Sequence, residues 1–238
     1  MVSQRFLIVI VSVSVAVLLF SSSTVSAISL QPNEKSLQTV KTCYGKLSQK
    51  NDWSNCNLKH VNISYKNLAG INFSGADLSG ARFYDTNLTG ANFAGAKLSG
   101  VSFNYVNLSN ADLHGTILQS ADFYHSNLSG ANLQDADLQY SRFPSVNFQG
   151  ANLSNSDLSN ISAQTANFQN AILKNVKLLN AELLGSDFSW ADLSGADLTS
   201  ADNTGGFMTN ADLTDAKVSG LDTASVDLSC HGNSICTE

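Results

Sequence analysis

Apolar residues recur at every fifth position over most of this chain. From Leu58 to Leu228, 35 consecutive positions whose numbers end in 3 or 8 carry an apolar residue of at least valine size, except Ala163, Asn203 and Thr223. An α-helix would spread such a set around its circumference, and a β-strand would place successive members on opposite faces. The period therefore predicts a stack of short repeated units, a solenoid with one continuous core.

The neighbouring positions follow the same period of five. The residue two places before each apolar position is mostly small, as at Ala76, Ala91 and Ala111, and the residue between them is usually Asn or Asp. Small residues at a second inward position would allow the chain to turn a corner in every pentad. Because Asn203 takes a large inward position near two glycines, we expect a loosened or bulged coil at 200–208.

Phenylalanine indicates the length of one turn of this stack. Nine of the twelve phenylalanines occupy the central position of a pentad, and six pairs of them lie four pentads apart, more than at any other spacing from one pentad to five. Four pentads should therefore form one coil, giving about nine coils with each Phe roughly 4.7–4.9 Å from the next along the stack. An Asn column with the same spacing supports this register: Asn67, Asn87, Asn107, Asn127, Asn147 and Asn167.

The repeated motif A-[DN]-[LF]-x-x resembles the pentapeptide-repeat family. It is seen in ADLSG (76–80), ANFAG (91–95), ANLSN (151–155) and ADLTS (196–200), and the resemblance covers residues 56–228. It implies an all-β fold, a right-handed quadrilateral parallel β-helix with one pentad on each side. We assign residues 53–229 to this solenoid.

The N-terminus has the pattern of an export signal. Residues 6–20 form an apolar run after Arg5, and the polar stretch that follows contains Val25 and Ala27, which suit signal-peptidase cleavage. A retained membrane anchor is the alternative, but this run falls short of the ~20 residues that span a bilayer. We therefore interpret 1–27 as a removed signal and expect no membrane insertion afterwards. The expected location is a bacterial periplasm, a cyanobacterial thylakoid lumen or the exterior.

An open solenoid end exposes unpaired backbone, so both ends require covers. Residues 28–52 are predicted to form a helical cap, because Leu37, Val40, Tyr44 and Leu47 have the spacing of an amphipathic helix. Residues 230–238 are predicted to cap the other end as a disulfide-closed loop.

Export would also expose the four cysteines to oxidation. They permit three pairings. Sequence distance favours Cys43–Cys56 and Cys230–Cys236, because the two ends of a long rod cannot meet at bonding distance. Metal binding through cysteine and His231 is the alternative, but its ligand spacing is poor.

The sequence offers no motif for catalysis or cofactor binding. Asp137 and Asp157 would be adjacent carboxylates near the ~5 Å separation of a retaining glycosidase pair, which raises a polysaccharide-acting β-helix enzyme as an alternative. The same column continues with Lys177, Asp197 and Lys217, so we interpret it as a surface charge ladder. We predict no catalytic, cofactor or metal site.

One side of the rod is predicted to bind a protein partner. Tyr and Arg are the residue types enriched at binding hot spots, and the four-pentad register places several of them on or beside one side across four coils. This predicted partner face comprises Arg82, Tyr84, Tyr105, Asp122, Tyr124, His125 and Arg142.

Charge limits the class of partner. The formal net charge is −6, and residues 182–227 contain nine acids against the single base Lys217. A basic surface for nucleic acid is therefore not expected. The family resemblance also implies an alternative, a mimic of duplex DNA that protects or inhibits DNA gyrase, but an export signal would separate the protein from gyrase. We predict an exported, non-enzymatic protein-binding or scaffolding module of unknown partner, of which two copies could join end to end.

Overall fold

The computed structural model of the protein describes residues 51–237 and the backbone of two short strands. Strand β1 (Val15–Ala16) pairs antiparallel with β2 (Ser29–Leu30), with Val15 opposite Leu30. The rest of the predicted signal (1–27) lies outside the described residues. So does the predicted helical cap (28–52), apart from β2 and positions 51 and 52.

Residues 51–229 form a stack of coils, each made of four pentads, and residues 230–237 form a loop that follows the stack. Parallel bridges join each paired residue to its counterpart in the next coil, from Asp52–Asn72 to Phe207–Asp227. In a typical bridge, the Asn72 amide donates to the Asn51 carbonyl at 2.9 Å and its carbonyl accepts from the Trp53 amide at 2.7 Å. The four pentads per coil expected from the sequence are therefore observed, and the right-handed winding stays a prediction.

Most sides of a coil are too short to be strands. Within the described residues of the stack, continuous pairing occurs only between β3 (Arg82–Tyr84) and β4 (Ser102–Asn104), which run parallel with Phe83 opposite Phe103. Elsewhere one residue of each pentad bridges to the next coil, because a turn interrupts the chain before a second can pair.

A turn follows the central residue of every pentad. Positive φ values occur at all 35 fifth positions from Asn55 to Ser225, and 13 of these residues are glycines. Positive φ at the third residue alone is typical of a type II turn. Around Gly75, for example, the Ala76 amide donates to the Phe73 carbonyl at 2.9 Å. These turns bend the chain at each corner.

The Asn or Asp before each central residue stabilises the turn. The Asn72 Oδ1 accepts from the Ser74 amide at 3.0 Å, and the Asp192 Oδ1 accepts from the Ser194 amide at 3.1 Å. A short side chain with an acceptor oxygen is needed to reach the amide two positions on. This geometry explains why Asn and Asp prevail at the second position of the motif.

The central residues fill the axis of the stack. All six Phe pairs that lie one coil apart stack or tilt with ring centroids separated by 4.7–5.1 Å, from Phe73–Phe93 to Phe168–Phe188. The predicted Phe columns are thus confirmed. The small residues also point inward, and Ala76, Ala91 and Ala111 are buried beside them.

The predicted loosened coil at 200–208 is wrong. The inter-coil bridges at Asp202 and Phe207 continue without interruption. Asn203 is fully buried, and neither polar atom of its amide has a hydrogen-bond partner. A Cβ on Gly206 would overlap the Asn203 Oδ1 and lie 2.6 Å from the Ser186 carbonyl oxygen. The missing side chain of Gly206 therefore leaves the space that Asn203 occupies, and the coil keeps its register.

The C-terminal loop covers part of the last coil. A disulfide joins Cys230 and Cys236, whose Cα atoms are 5.0 Å apart. The Asn233 Nδ2 donates to the Ala216 carbonyl at 2.9 Å, which holds the loop against the coil. Because Cys230 and Cys236 are bonded to each other, they cannot bind a metal ion together with His231, as the alternative interpretation required.

The cysteine at the other end is also oxidised. Cys56 is buried in the first coil and is disulfide-bonded. Cys43, its expected partner, lies outside the described residues, so that pairing stays a prediction.

Candidate functional site

Four tyrosines form a continuous row across successive coils. This tyrosine row comprises Tyr65, Tyr84, Tyr105 and Tyr124, and each ring centroid lies 5.4 Å from the next. Neighbouring ring planes cross at 62°, 69° and 83°, so the contacts are edge to face. This is one of the arrangements that aromatic pairs prefer.

The backbone explains the regular spacing of the row. Tyr84 and Tyr124 directly follow a central phenylalanine, whereas Tyr65 and Tyr105 occupy corners with φ of 59° and 58°. The rings therefore alternate between two adjacent positions as the chain rises by about 4.8 Å per coil. A zigzag of this kind gives each ring room to meet the edge of its neighbour.

His125 extends the aromatic surface. Its ring stacks on Tyr105 with centroids 5.7 Å apart and meets Tyr124 edge to face at 4.3 Å. The structure thus brings four residues of the predicted partner face, Tyr84, Tyr105, Tyr124 and His125, into direct contact.

The row is open to solvent. The exposed fractions are 70% for Tyr65, 42% for Tyr84, 46% for Tyr105 and 38% for Tyr124. Partial burial raises the pKa of Tyr105, and the neighbouring phenols of Tyr124 and Tyr84 raise it further. A tyrosine hydroxyl is protonated at neutral pH and can donate a hydrogen bond.

The charged members of the predicted partner face are more loosely placed. The Arg142 guanidinium lies 4.0 Å from the Asp122 carboxylate, and 67% of its side chain is exposed. Such a pair contributes little to stability. Arg82 lies in β3 and is exposed. The arginines can therefore reorient toward a partner.

Sequence reasoning missed Tyr65. This residue lies two coils before Tyr105 at the same corner of the stack, where both have positive φ. The four-pentad register would have found it, but the predicted partner face began at Arg82 and was not extended back to the first coils.

A cleft of about 400 Å³ runs beside the tyrosine row. Tyr65 and Tyr105 flank it two coils apart, and Asp85 lies at the same corner between them. The other lining residues are Lys66, Asn67, Thr86, Asn87 and Asn107.

The Asp137 and Asp157 column does not resemble a catalytic pair. The Gln119 Nε2 donates to the Asp137 Oδ2 at 2.7 Å, and the Lys177 Nζ lies 3.3 Å from the Asp157 Oδ2. Partial burial raises the pKa of Asp157, but hydrogen bonds from Ser159 and the charge of Lys177 outweigh it, so the net pKa lies below 3.8. A glycosidase acid needs a raised pKa. These contacts favour the charge-ladder interpretation.

Metal and membrane features are absent from the described part of the stack. Between positions 51 and 237, no group of three His, Cys, Asp or Glu side chains could hold a metal ion. No helix in that range has the length and apolar character needed to cross a bilayer.

Two related family models match the chain. The model described as "Pentapeptide repeats" matches residues 52–90, 91–130 and 191–229, in eight copies. The model described as "Pentapeptide repeat region" matches residues 111–188. No curated protein matches the sequence.

Several solved structures are similar to the chain. Full-length QnrB1, a plasmid-mediated fluoroquinolone resistance protein, is 24% identical with a TM-score of 0.45, covering 74% of this chain and 88% of its own. HetL, which is involved in heterocyst differentiation regulation in the cyanobacterium Nostoc, is 24% identical with a TM-score of 0.38. The match covers 79% of this chain and 93% of HetL. A pentapeptide repeat protein from the Arabidopsis thaliana thylakoid lumen is 32% identical with a TM-score of 0.18. The match covers 46% of this chain and 66% of the Arabidopsis chain.

Proposed function

Because this chain belongs to the pentapeptide-repeat family, we propose that it is a non-enzymatic protein-binding or scaffolding module that works in an exported compartment. The export part of the proposal rests on the apolar run at 6–20 and the small residues Val25 and Ala27. The binding part rests on the surface of the rod.

The tyrosine row is the observation that carries the proposal. Its four rings touch one another in a single exposed line, and His125 continues it. Contiguous exposed aromatic surface is typical of interaction sites. Tyrosine is also suited to binding because it offers a large contact area at a low entropic cost.

The rigidity of the scaffold supports the same function. At Phe103, for example, the backbone amide donates to the Asp122 carbonyl of the next coil at 2.7 Å, and the core columns hold the spacing between coils. A partner would therefore meet rings that are already arranged, which lowers the cost of ordering them on binding.

A crosslinking pull-down of the mature protein from its own exported compartment tests this function. The variant Tyr84→Ala, Tyr105→Ala, Tyr124→Ala removes three rings of the row. Tyr140→Ala is the control, because Tyr140 is an exposed tyrosine at a different corner. We expect a specific protein that the wild type and the control capture and the triple variant loses.

The outcome is informative only if the triple variant stays folded, so its melting temperature is measured in parallel. If all three baits return the same background, the tyrosine row is ordinary surface and the proposal fails.

A second candidate follows from the acidic end of the rod. Residues 182–227 carry nine acids and one base, which fits a mimic of duplex DNA directed at gyrase. Inhibition or protection of gyrase in a supercoiling assay would favour this candidate. It also requires the protein to remain in the cytoplasm, which fusion of residues 1–27 to a reporter enzyme would reveal.

A further inference from the structure

We propose that the cleft beside the tyrosine row binds an arginine side chain of the protein partner. The inference rests on the proposed function and names the chemistry by which the partner is recognised. Its three elements are the rings of Tyr65 and Tyr105, the carboxylate of Asp85, and the polar side chains that line the rest of the cleft.

The backbone of Asp85 is fixed in place, whereas its carboxylate makes no hydrogen bond or ion pair with the described residues. Its amide donates to the Asn104 carbonyl at 3.1 Å, and its corner conformation has φ of 47°. Between positions 51 and 237, no hydrogen bond or ion pair engages its side chain. Asp77, by contrast, pairs with Lys59 at 3.1 Å.

The amide and hydroxyl oxygens of Asn67, Asn87, Asn107 and Thr86, which also line the cleft, already take part in hydrogen bonds. The Asn87 Nδ2 donates to the Asn67 Oδ1 at 3.0 Å. The Thr86 Oγ1 lies 2.9 Å from the Ile63 carbonyl oxygen and 3.1 Å from the Tyr84 carbonyl oxygen, so its one proton is directed at this pair of acceptors. Lys66 also lines the cleft and already takes part in an interaction. The Asp85 carboxylate is therefore the acceptor in the cleft that is available to a ligand.

Arginine matches these elements better than any other side chain. A guanidinium can donate two parallel hydrogen bonds to one carboxylate. Its planar, weakly hydrated surface also stacks on tyrosine rings, where a cation is attracted to the π face. The negative charge of the Asp85 carboxylate complements the guanidinium.

The test is a titration of the mature chain with N-acetyl-arginine amide, in which NMR follows the tyrosine ring resonances. N-acetyl-citrulline amide is the uncharged probe of nearly the same shape. We expect saturable shifts at Tyr65 and Tyr105 with the arginine probe, and at least about threefold weaker binding of the citrulline probe.

Two matched variants locate the acceptor. Asp85→Asn removes the charge in the cleft and should weaken binding of the arginine probe about threefold or more. Asp215→Asn removes the same charge at another corner, where φ is 57°, and should leave binding unchanged. Asn is well tolerated at positive φ, so both variants should fold.

Three results would overturn the inference: no saturable shift, equal binding of the two probes, or equal weakening by both variants. The pull-down separates this failure from that of the proposed function. If the triple tyrosine variant loses the captured partner and Asp85→Asn still captures it, the scaffold function is supported and the arginine site is refuted.

Discussion

The Asn and Asp residues before each buried Leu or Phe link two levels of the structure. The Asn87 Oδ1 accepts from the Thr89 amide within its own turn, at 3.1 Å. Its Nδ2 donates to the Asn67 Oδ1 of the preceding coil. An aspartate can replace only the first of these contacts, because it lacks the donor. A single side chain therefore both shapes a corner and joins two coils.

Asn203 is an asparagine at a large inward position of its pentad, where a polar side chain is unfavourable. Its amide is fully buried with no hydrogen-bond partner. We predict that Asn203→Leu stabilises the protein by about 1–3 kcal/mol, because it removes an unsatisfied polar group and adds apolar burial. The measurement is the urea midpoint at an unchanged slope.

Gly206→Ala provides the opposite control at this site. Its methyl group would overlap the Asn203 Oδ1 and approach the Ser186 carbonyl, so the midpoint should fall. A lower midpoint for Asn203→Leu would mean that the leucine does not fit beside Gly206, and our account of this coil would be wrong.

The aspartates of the C-terminal coils predict acid sensitivity. Hydrogen bonds from the side chain and then the backbone of the residue two positions on lower the pKa of Asp202, Asp212 and Asp227 below 3.8. Because the folded pKa lies below the unfolded value, the stabilisation is present above pH ~4 and is lost as pH falls through the folded pKa.

We therefore expect the triple variant Asp202→Asn, Asp212→Asn, Asp227→Asn to lose less stability than the wild type between about pH 4 and 2.5. Asparagine keeps the acceptor oxygen of the turn and removes the titration. The unfolding free energy measured across this range checks it, and identical curves for the two proteins would contradict it.

Some residues of the site could not be identified from the sequence. The register placed Tyr84, Tyr105 and Tyr124 on one side, but their zigzag contacts depend on ring directions that the sequence does not specify. Asp85 was not predicted as a site residue. Its carboxylate is distinguished only by the contacts that it does not make with the described residues, and a sequence does not give contacts. The expected bulge at Asn203 failed because Gly206, which looked like a weak point, supplies the needed space.

At the scale of the element, the coil was predictable and the individual strand was not. The Phe columns required only the spacing of like residues, and the structure confirms them, as at Phe83 and Phe103 with centroids 5.0 Å apart. Strands β3 and β4 form because three consecutive residues on each side pair with the next coil, whereas in other pentads only one residue pairs. No pattern of side chains in the motif distinguishes these two sides from their neighbours.

The Phe column predicts a large cost for removing one ring. Phe103 is fully buried and contacts the rings of Phe83, Phe93 and Phe123. We expect Phe103→Ala to destabilise the protein by about 3–5 kcal/mol, through lost burial and the cavity left behind.

Phe207→Ala is the matched control, because 49% of that side chain is exposed and it takes the Asn or Asp position of its pentad. It should change stability by less than about 1 kcal/mol. Chemical denaturation of both variants tests the difference, and equal losses would show that the column is not the main source of stability.

For the whole molecule, the constant period fixes which deletions the rod can tolerate. Removal of residues 151–170 takes out one complete coil and joins its neighbours in register, since the bridges from Asp52–Asn72 to Phe207–Asp227 all join positions four pentads apart. We expect this variant to unfold cooperatively with a lower melting temperature. Removal of Asn152 alone moves each later central residue out of the core, so the coils after it should be lost.

Circular dichroism melts and limited proteolysis distinguish the two cases. A protease-resistant fragment that ends near residue 150 is expected only for the single deletion. Resistance of the whole chain in that variant would mean that the stack can absorb an extra or missing residue in a corner.

The corner at every fifth residue also affects how such a protein can evolve by insertions. An inserted pentad preserves the core but moves all later surface residues to the next side, whereas an inserted coil preserves both. Descendants of one ancestral rod can therefore share their buried pattern and present unrelated surfaces. A single pentad gained between Tyr65 and Tyr124 would divide the tyrosine row between two sides of a protein that still folds.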